Sequence, residues 1–198
     1  MSGPNDRATH AGARGSVCKP DTFGQSQAFV PWFATHLGQH QLEVQRLLND
    51  PTAVHFLIAW SLLETECFNG FATCAKLRDY CMRVVEREFF DAASLASVVA
   101  GFHERYQDKK CLARLMQDHT KPDIKPLLEQ PVAALSAVDQ VYLVISVVYR
   151  YRNNIFHGTK GVQSWLKYRP QIEQCVSAMQ HLITHAKVHV GAAEDKAA

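Results

Sequence analysis

The 198-residue chain has no C-x-x-C pair among its six cysteines, no glycine-rich phosphate loop, and a formal charge of only +2. No strand-type alternation persists, and no repeat of fixed period is visible. The small charge excludes a dense basic coat for nucleic acid, so any such contact has to be local. The longest apolar run, 141–149, is broken by Ser146 and followed at once by Arg150 and Arg152, so no membrane span is expected. The N-terminus shows no charged-then-apolar secretion signal, and a cytoplasmic protein is expected.

Cys18, Cys67, Cys74, Cys81, Cys111 and Cys175 fall mostly among apolar residues of predicted helices, which suits reduced thiols. Cys67, Cys74 and Cys81 recur every seven residues. That spacing is two helical turns and reads as core packing rather than as a metal ladder. His181, His185 and His189 recur every four residues and can be drawn as chelators from one helix face. No cysteine or carboxylate joins them, and a structural zinc site wants four ligands, so a solvated face is the better account. Neither a metal nor another cofactor is expected.

What is present is helical periodicity. With 47% hydrophobic and 20% charged residues, the chain has the make-up of one globular domain. A flexible tail is expected over 1–21, one helical domain over 22–190 and a second flexible tail over 191–198. The spacing predicts helices over 27–48, from the Asp50-Pro51 start to 69, over 74–89, 91–107 and 109–117, and from Ser136 through Tyr151. A loop is expected over 121–131. A last long helix carries Trp165, Tyr168, Ile172, Cys175 and Met179 on one side, kinked at Pro170 because the stripe stays in phase across it. In the 91–107 helix, Leu95, Val98, Val99, Phe102 and Tyr106 form the buried stripe while His103, Glu104 and Arg105 point elsewhere. The fold class is all-α, a bundle with a four-helix core plus extra short helices.

The chemistry concentrates in Arg152-Asn153-Asn154-Ile155-Phe156-His157-Gly158, where the most apolar helix should stop. Arginine holds phosphate, and histidine moves protons near neutral pH. At about 100° per residue, Arg152 falls in the sector of Val141, Ile145 and Val148, so it needs a partner on the apolar side. Glu64, in the sector of Leu57, Trp60, Phe68 and Phe71, is the candidate, either as part of a site or as a buried strut joining two helices. Gly158 suits the left-handed position past a helix end, which places His157 beside unpaired carbonyls that favour its imidazolium. Arg152 and His157 are about 140° apart on a continuous helix, so their convergence requires the helix to loosen near Asn154.

An arginine, a polar residue and a histidine four positions further on, at the end of an apolar helix, resemble the hallmark of the HEPN superfamily. The A-W-S-L-L-E-T segment around Trp60 and Glu64 is similar to that family's acidic first core helix. The resemblance covers 50–189 and implies a metal-independent endoribonuclease, acting in a defence or toxin setting, in which two copies pair to line one cleft. Within it, Arg152, His157 and Asn153 would be catalytic, with Glu64 and Asn154 supporting them. Lys160, Arg150 and Lys167 would contact RNA, and Tyr149, Tyr151, Trp165 and Tyr168 could stack on bases, although most of these aromatics lie on core stripes. The other reading is a noncatalytic helical module that binds RNA or a partner protein, such as an antitoxin or regulator.

Overall fold

Short polar side chains and left-handed residues cut the chain into helices, and where they fall decides which apolar faces meet. The computed structural model describes residues 28–86, 90–117, 119–156 and 164–194, without the side chains of 156, 164, 165 and 187–194. The expected tail at 1–21 lies outside these residues. The elements are α1 (Phe29–Leu37), α2 (Gln41–Asn49), α3 (Thr52–Phe68), α4 (Cys74–Val85), α5 (Ala96–Gln107), α6 (Lys109–Met116), α7 (Lys125–Leu128), α8 (Ala137–Phe156), α9 (Ser164–Lys167) and α10 (Arg169–Glu194), with 3-10 turns at Ala92–Leu95 and Val132–Ala134. The fold is all-α, and no strand occurs among the described residues. The chain divides into two units, Met1–Gln45 and Arg46–Ala198.

In the first unit, the helix expected over 27–48 is interrupted. Gly38 adopts φ 62°, its N–H reaches the Thr35 carbonyl (3.2 Å), and the Gln39 N–H reaches the Ala34 carbonyl (3.0 Å). These paired bonds satisfy the last carbonyls of α1 and end it. His40 then accepts the Leu42 N–H at Nδ1 (3.3 Å), opening α2.

The second unit follows its caps closely. Asp50 accepts the Thr52 N–H (2.9 Å) at the start of α3, with Pro51 where a missing N–H does no harm. Asn69 (φ 53°) and Gly70 (φ 92°) reverse the chain after α3. Asp91 caps the 3-10 turn through Ala93 N–H (2.9 Å), and Asp108 caps α6 through Cys111 N–H (2.8 Å). The segment expected as a loop over 121–131 contains α7.

The last helix differs from expectation at both ends. Instead of one kinked helix, α9 and α10 are separated at Tyr168. Pro170 is the second residue of α10, where its absent N–H is one of the unpaired first-turn groups, while the Gln171 and Ile172 amides return to the Tyr168 carbonyl (3.1 and 3.0 Å). Helical backbone also continues to Glu194, into the segment expected as a tail.

The core sits around α8, whose Val141, Leu143, Val144, Ile145, Val147 and Val148 are all fully buried. A helix apolar on every side belongs in the middle. It packs against α4, α5, α6 and α10, and α3 lies along α10. Cys81 is buried within this core, and burial pushes its thiol up to about 12. His103 is also inside, contrary to the expectation that it faces outward. Its ring Nε2 donates to the Gln130 carbonyl (2.8 Å), and Nδ1 lies 3.3 Å from Gln107 Nε2, so two polar partners permit the burial.

At the start of α8, Ser136 and Asp139 cap reciprocally. The Asp139 N–H donates to Ser136 Oγ (3.2 Å), the hydroxyl donates to Asp139 Oδ2 (2.6 Å), and Arg78 pairs with Oδ1 (2.8 Å). The Ser136 hydroxyl foremost, and the Arg78 guanidinium with it, hold the Asp139 carboxyl below its ordinary value of 3.8. A depressed folded pKa means that this stabilisation is present above 3.8 and fades as the pH falls through the lower folded value. Ser136→Ala should lower unfolding stability by about 1 kcal/mol in urea titrations at pH 7. In thermal melts from pH 7 to 2.5, Asp139→Asn should lose less stability than the parent chain across the acid limb.

Candidate functional site

The last turns of α8 carry polar side chains into two different environments. Arg150 is only 3% exposed. Its Nε donates to the Leu115 carbonyl (3.3 Å), and Nη2 donates to the Met116 carbonyl (2.8 Å) and to Asn154 Oδ1 (3.5 Å). Asn154, 1% exposed, donates its Nδ2 to the same Leu115 carbonyl (3.0 Å). These carbonyls end α6, where Gln117 turns left-handed at φ 47°. A helix C-terminus presents unpaired acceptors and partial negative charge, which a guanidinium satisfies. Burial holds the Arg150 guanidinium below its ordinary range, and among the described residues its partners are these neutral acceptors.

This placement corrects two expectations. Arg150, expected at the RNA surface, is an interior strut between α8 and α6. Asn154, expected where the helix loosens, is a buried helical residue in the same strut, and helical backbone continues through Phe156. Leaving these acceptors would strand the buried guanidinium rather than the carbonyls, since Leu115 also accepts from Asn154 and Met116 from the His119 N–H (3.0 Å).

Arg152, two residues on, is half-buried. Its guanidinium lies over the Trp60 ring, 5.7 Å from the centroid, and Nη1 donates to Asn153 Oδ1 (3.1 Å). Trp60 is itself buried and tilted against Tyr149 at 6.2 Å. An aromatic face attracts the cation and fixes the plane of the fork. Tyr149, partly buried, hydrogen-bonds Asn153, and burial raises its phenol above the ordinary range. Arg152, Asn153, Tyr149 and Trp60 therefore form one cluster where α8 meets α3.

Glu64 does not join it as expected. Its Oε1 accepts the Ala72 N–H (3.1 Å) and its carbonyl accepts the Gly70 N–H (2.8 Å), so it clasps the turn between α3 and α4. Among the described residues the ion pairs are Arg78–Asp139, Arg169–Asp50 and Arg169–Glu173, and Glu64 with Arg152 is not one of them. The ring of Trp60 takes the position assigned to the carboxylate, a substitution that the aromatic's own place in the Glu64 sector could have signalled. Phe71, assigned to that inward sector, lies beyond the end of α3 and is 57% exposed.

Lys167 is exposed on α9, free in position to meet a ligand. His157, Lys160 and Gly158 lie outside the described residues. Of the aromatics considered for stacking, Tyr151 is buried, and Tyr149 and Tyr168 are partly buried. His185 rests edge-on against Phe90 (5.1 Å) rather than on a wholly solvated face. Among the described residues no three His, Cys, Asp or Glu side chains converge as metal ligands. No family model, curated protein or solved structure matches the chain.

The two arginines should separate on substitution. Arg150→Met removes the charge-assisted bonds that join α8 to α6 and should cost about 2–3 kcal/mol of stability. Arg152→Ala, at a half-exposed position, should cost less than about 1 kcal/mol. Urea unfolding of both variants followed by circular dichroism measures the difference.

Proposed function

We propose that the chain is a metal-independent endoribonuclease of the HEPN type. The observation that supports this reading is the half-buried Arg152, its fork oriented by Trp60 and Asn153, five residues before His157 at the end of the central helix. A guanidinium held in a fixed plane can stabilise the negative charge that builds on phosphorus-bound oxygens during cleavage. Asn153 orients the guanidinium through its Oδ1, the part that Glu64 was expected to play.

In this reading the 2′-oxygen attacks the adjacent phosphorus and the bond to the 5′-oxygen breaks. His157 takes the 2′-hydroxyl proton or supplies the proton to the leaving oxygen, and its counterpart in a second copy takes the other role. The products are a 2′,3′-cyclic phosphate and a 5′-hydroxyl. One motif per chain makes the homodimer part of the proposal, as are the cytoplasmic setting and a role in defence or as a toxin. Lys160 and Lys167 remain the proposed RNA contacts.

The noncatalytic reading draws on a different observation. Val54, Ile58 and Leu62 recur every four residues along α3 and are 52%, 55% and 42% exposed. An apolar stripe of that kind suits a partner protein.

Incubation of a mixed RNA panel with the purified chain in EDTA distinguishes the readings. Wild type should cut RNA to cyclic-phosphate ends, with His157→Ala and Arg152→Ala each slower by about a hundredfold or more. Intact RNA in every reaction would favour the binding module, and equal cutting by wild type and His157→Ala would sink the proposed site.

A further inference from the structure

A second group of arginines lies on a neighbouring side of α8. Arg105 from α5 and Arg114 from α6 line one narrow cleft with Tyr106, Cys111, Tyr151 and Tyr168. No carboxylate is among its lining residues, and neither arginine belongs to an ion pair among the described residues. Arg105 Nε is moreover buried without a hydrogen-bond partner. A buried donor in that state is destabilising until an acceptor arrives.

The walls suit an anion of a particular kind. Tyr106 donates its hydroxyl to Tyr151 (3.2 Å), and burial raises both phenols, so they stay neutral and add no negative charge. Arg114 is exposed at the mouth and free to close on a ligand, while the Arg105 Nε is the inner donor. Tyr168, between α9 and α10, gives the rim a partly exposed ring. Tyr151 immediately precedes Arg152, so the cleft and the motif arginine are about 100° apart around one helix.

We propose that this cleft is a phosphate-binding subsite for the RNA strand, in which Arg105 and Arg114 hold a phosphate other than the one that is cut. It rests on the endoribonuclease reading and adds to it the part of the surface that tracks the strand. The cleft holds only about 10 Å³, so the phosphate would sit at its mouth beside Arg114 with at most one oxygen turned towards Arg105.

Binding of a fluorescein-labelled 12-nucleotide oligouridine, followed by anisotropy on a His157→Ala background, tests the subsite. Arg114→Gln and Arg105→Gln should each weaken binding by about threefold or more near 0.1 M salt and reduce the salt slope by roughly 0.7. Arg83→Gln, on the exposed face of α4, should leave both unchanged. Arg114 is on the surface, so its variant remains informative even where Arg105→Gln unfolds. Unchanged affinity and slope in folded Arg114→Gln would overturn the subsite, and RNA cutting by the wild type would still leave the nuclease reading standing. A second arm compares thermal stability in inorganic phosphate and in chloride at equal ionic strength. Stabilisation by phosphate that Arg105→Gln or Arg114→Gln abolishes, with RNA affinity untouched, would assign the cleft to the free ion and also overturn the RNA proposal.

Discussion

The guanidinium of Arg150 on the final carbonyls of α6 is the interaction on which the end of α8 depends. It is a buried positive charge held by neutral acceptors, Leu115 and Met116, with Asn154 closing the arrangement. The carbonyls at the α6 terminus can each take a second donor beside Asn154 and the His119 N–H, and Arg150 needs acceptors in place of water. Each answers the other. Because the bonds run from two successive turns of α8 to one point on α6, they fix the helix in rotation as well as in position.

That rotation determines where Arg152 goes. Two residues beyond an anchored side chain, it is carried out of the core to the seam between α8 and α3, and there the Trp60 ring and Asn153 set the plane of its fork. On the adjoining side, Tyr151 enters the wall of the cleft lined by Arg105 and Arg114. One helical turn thus distributes a structural arginine, a half-exposed arginine and a buried tyrosine to three surroundings. The division of labour follows from the helical angle, once Arg150 has fixed the reference direction.

Much of the architecture was legible because caps are local chemistry. Asp50-Pro51 and Ser136 with Asp139 act within three residues of themselves, so spacing alone predicts them. The break at Gly38 was less legible, since the apolar pattern continues across it and only the glycine's positive φ reveals the ending. Pro170 is ambiguous for a related reason: an in-phase stripe is compatible with a kink and with a fresh start. Side-chain destinations on α8 were harder. A sector argument assumes one wet face, whereas this helix is surrounded, so it could not separate Arg150 from Arg152. Partners distant in sequence, such as Gln130 for His103 and Leu115 for Arg150, leave no local trace.

Cys81 gives the core a further property. Its thiol keeps its proton far above neutrality and is closed off from solvent, and a protonated thiol is a poor nucleophile. That sulfur is therefore inert towards mild oxidants and alkylating agents as long as the fold stays shut. Modification of that sulfur would register opening of the molecule rather than reactivity of the native state.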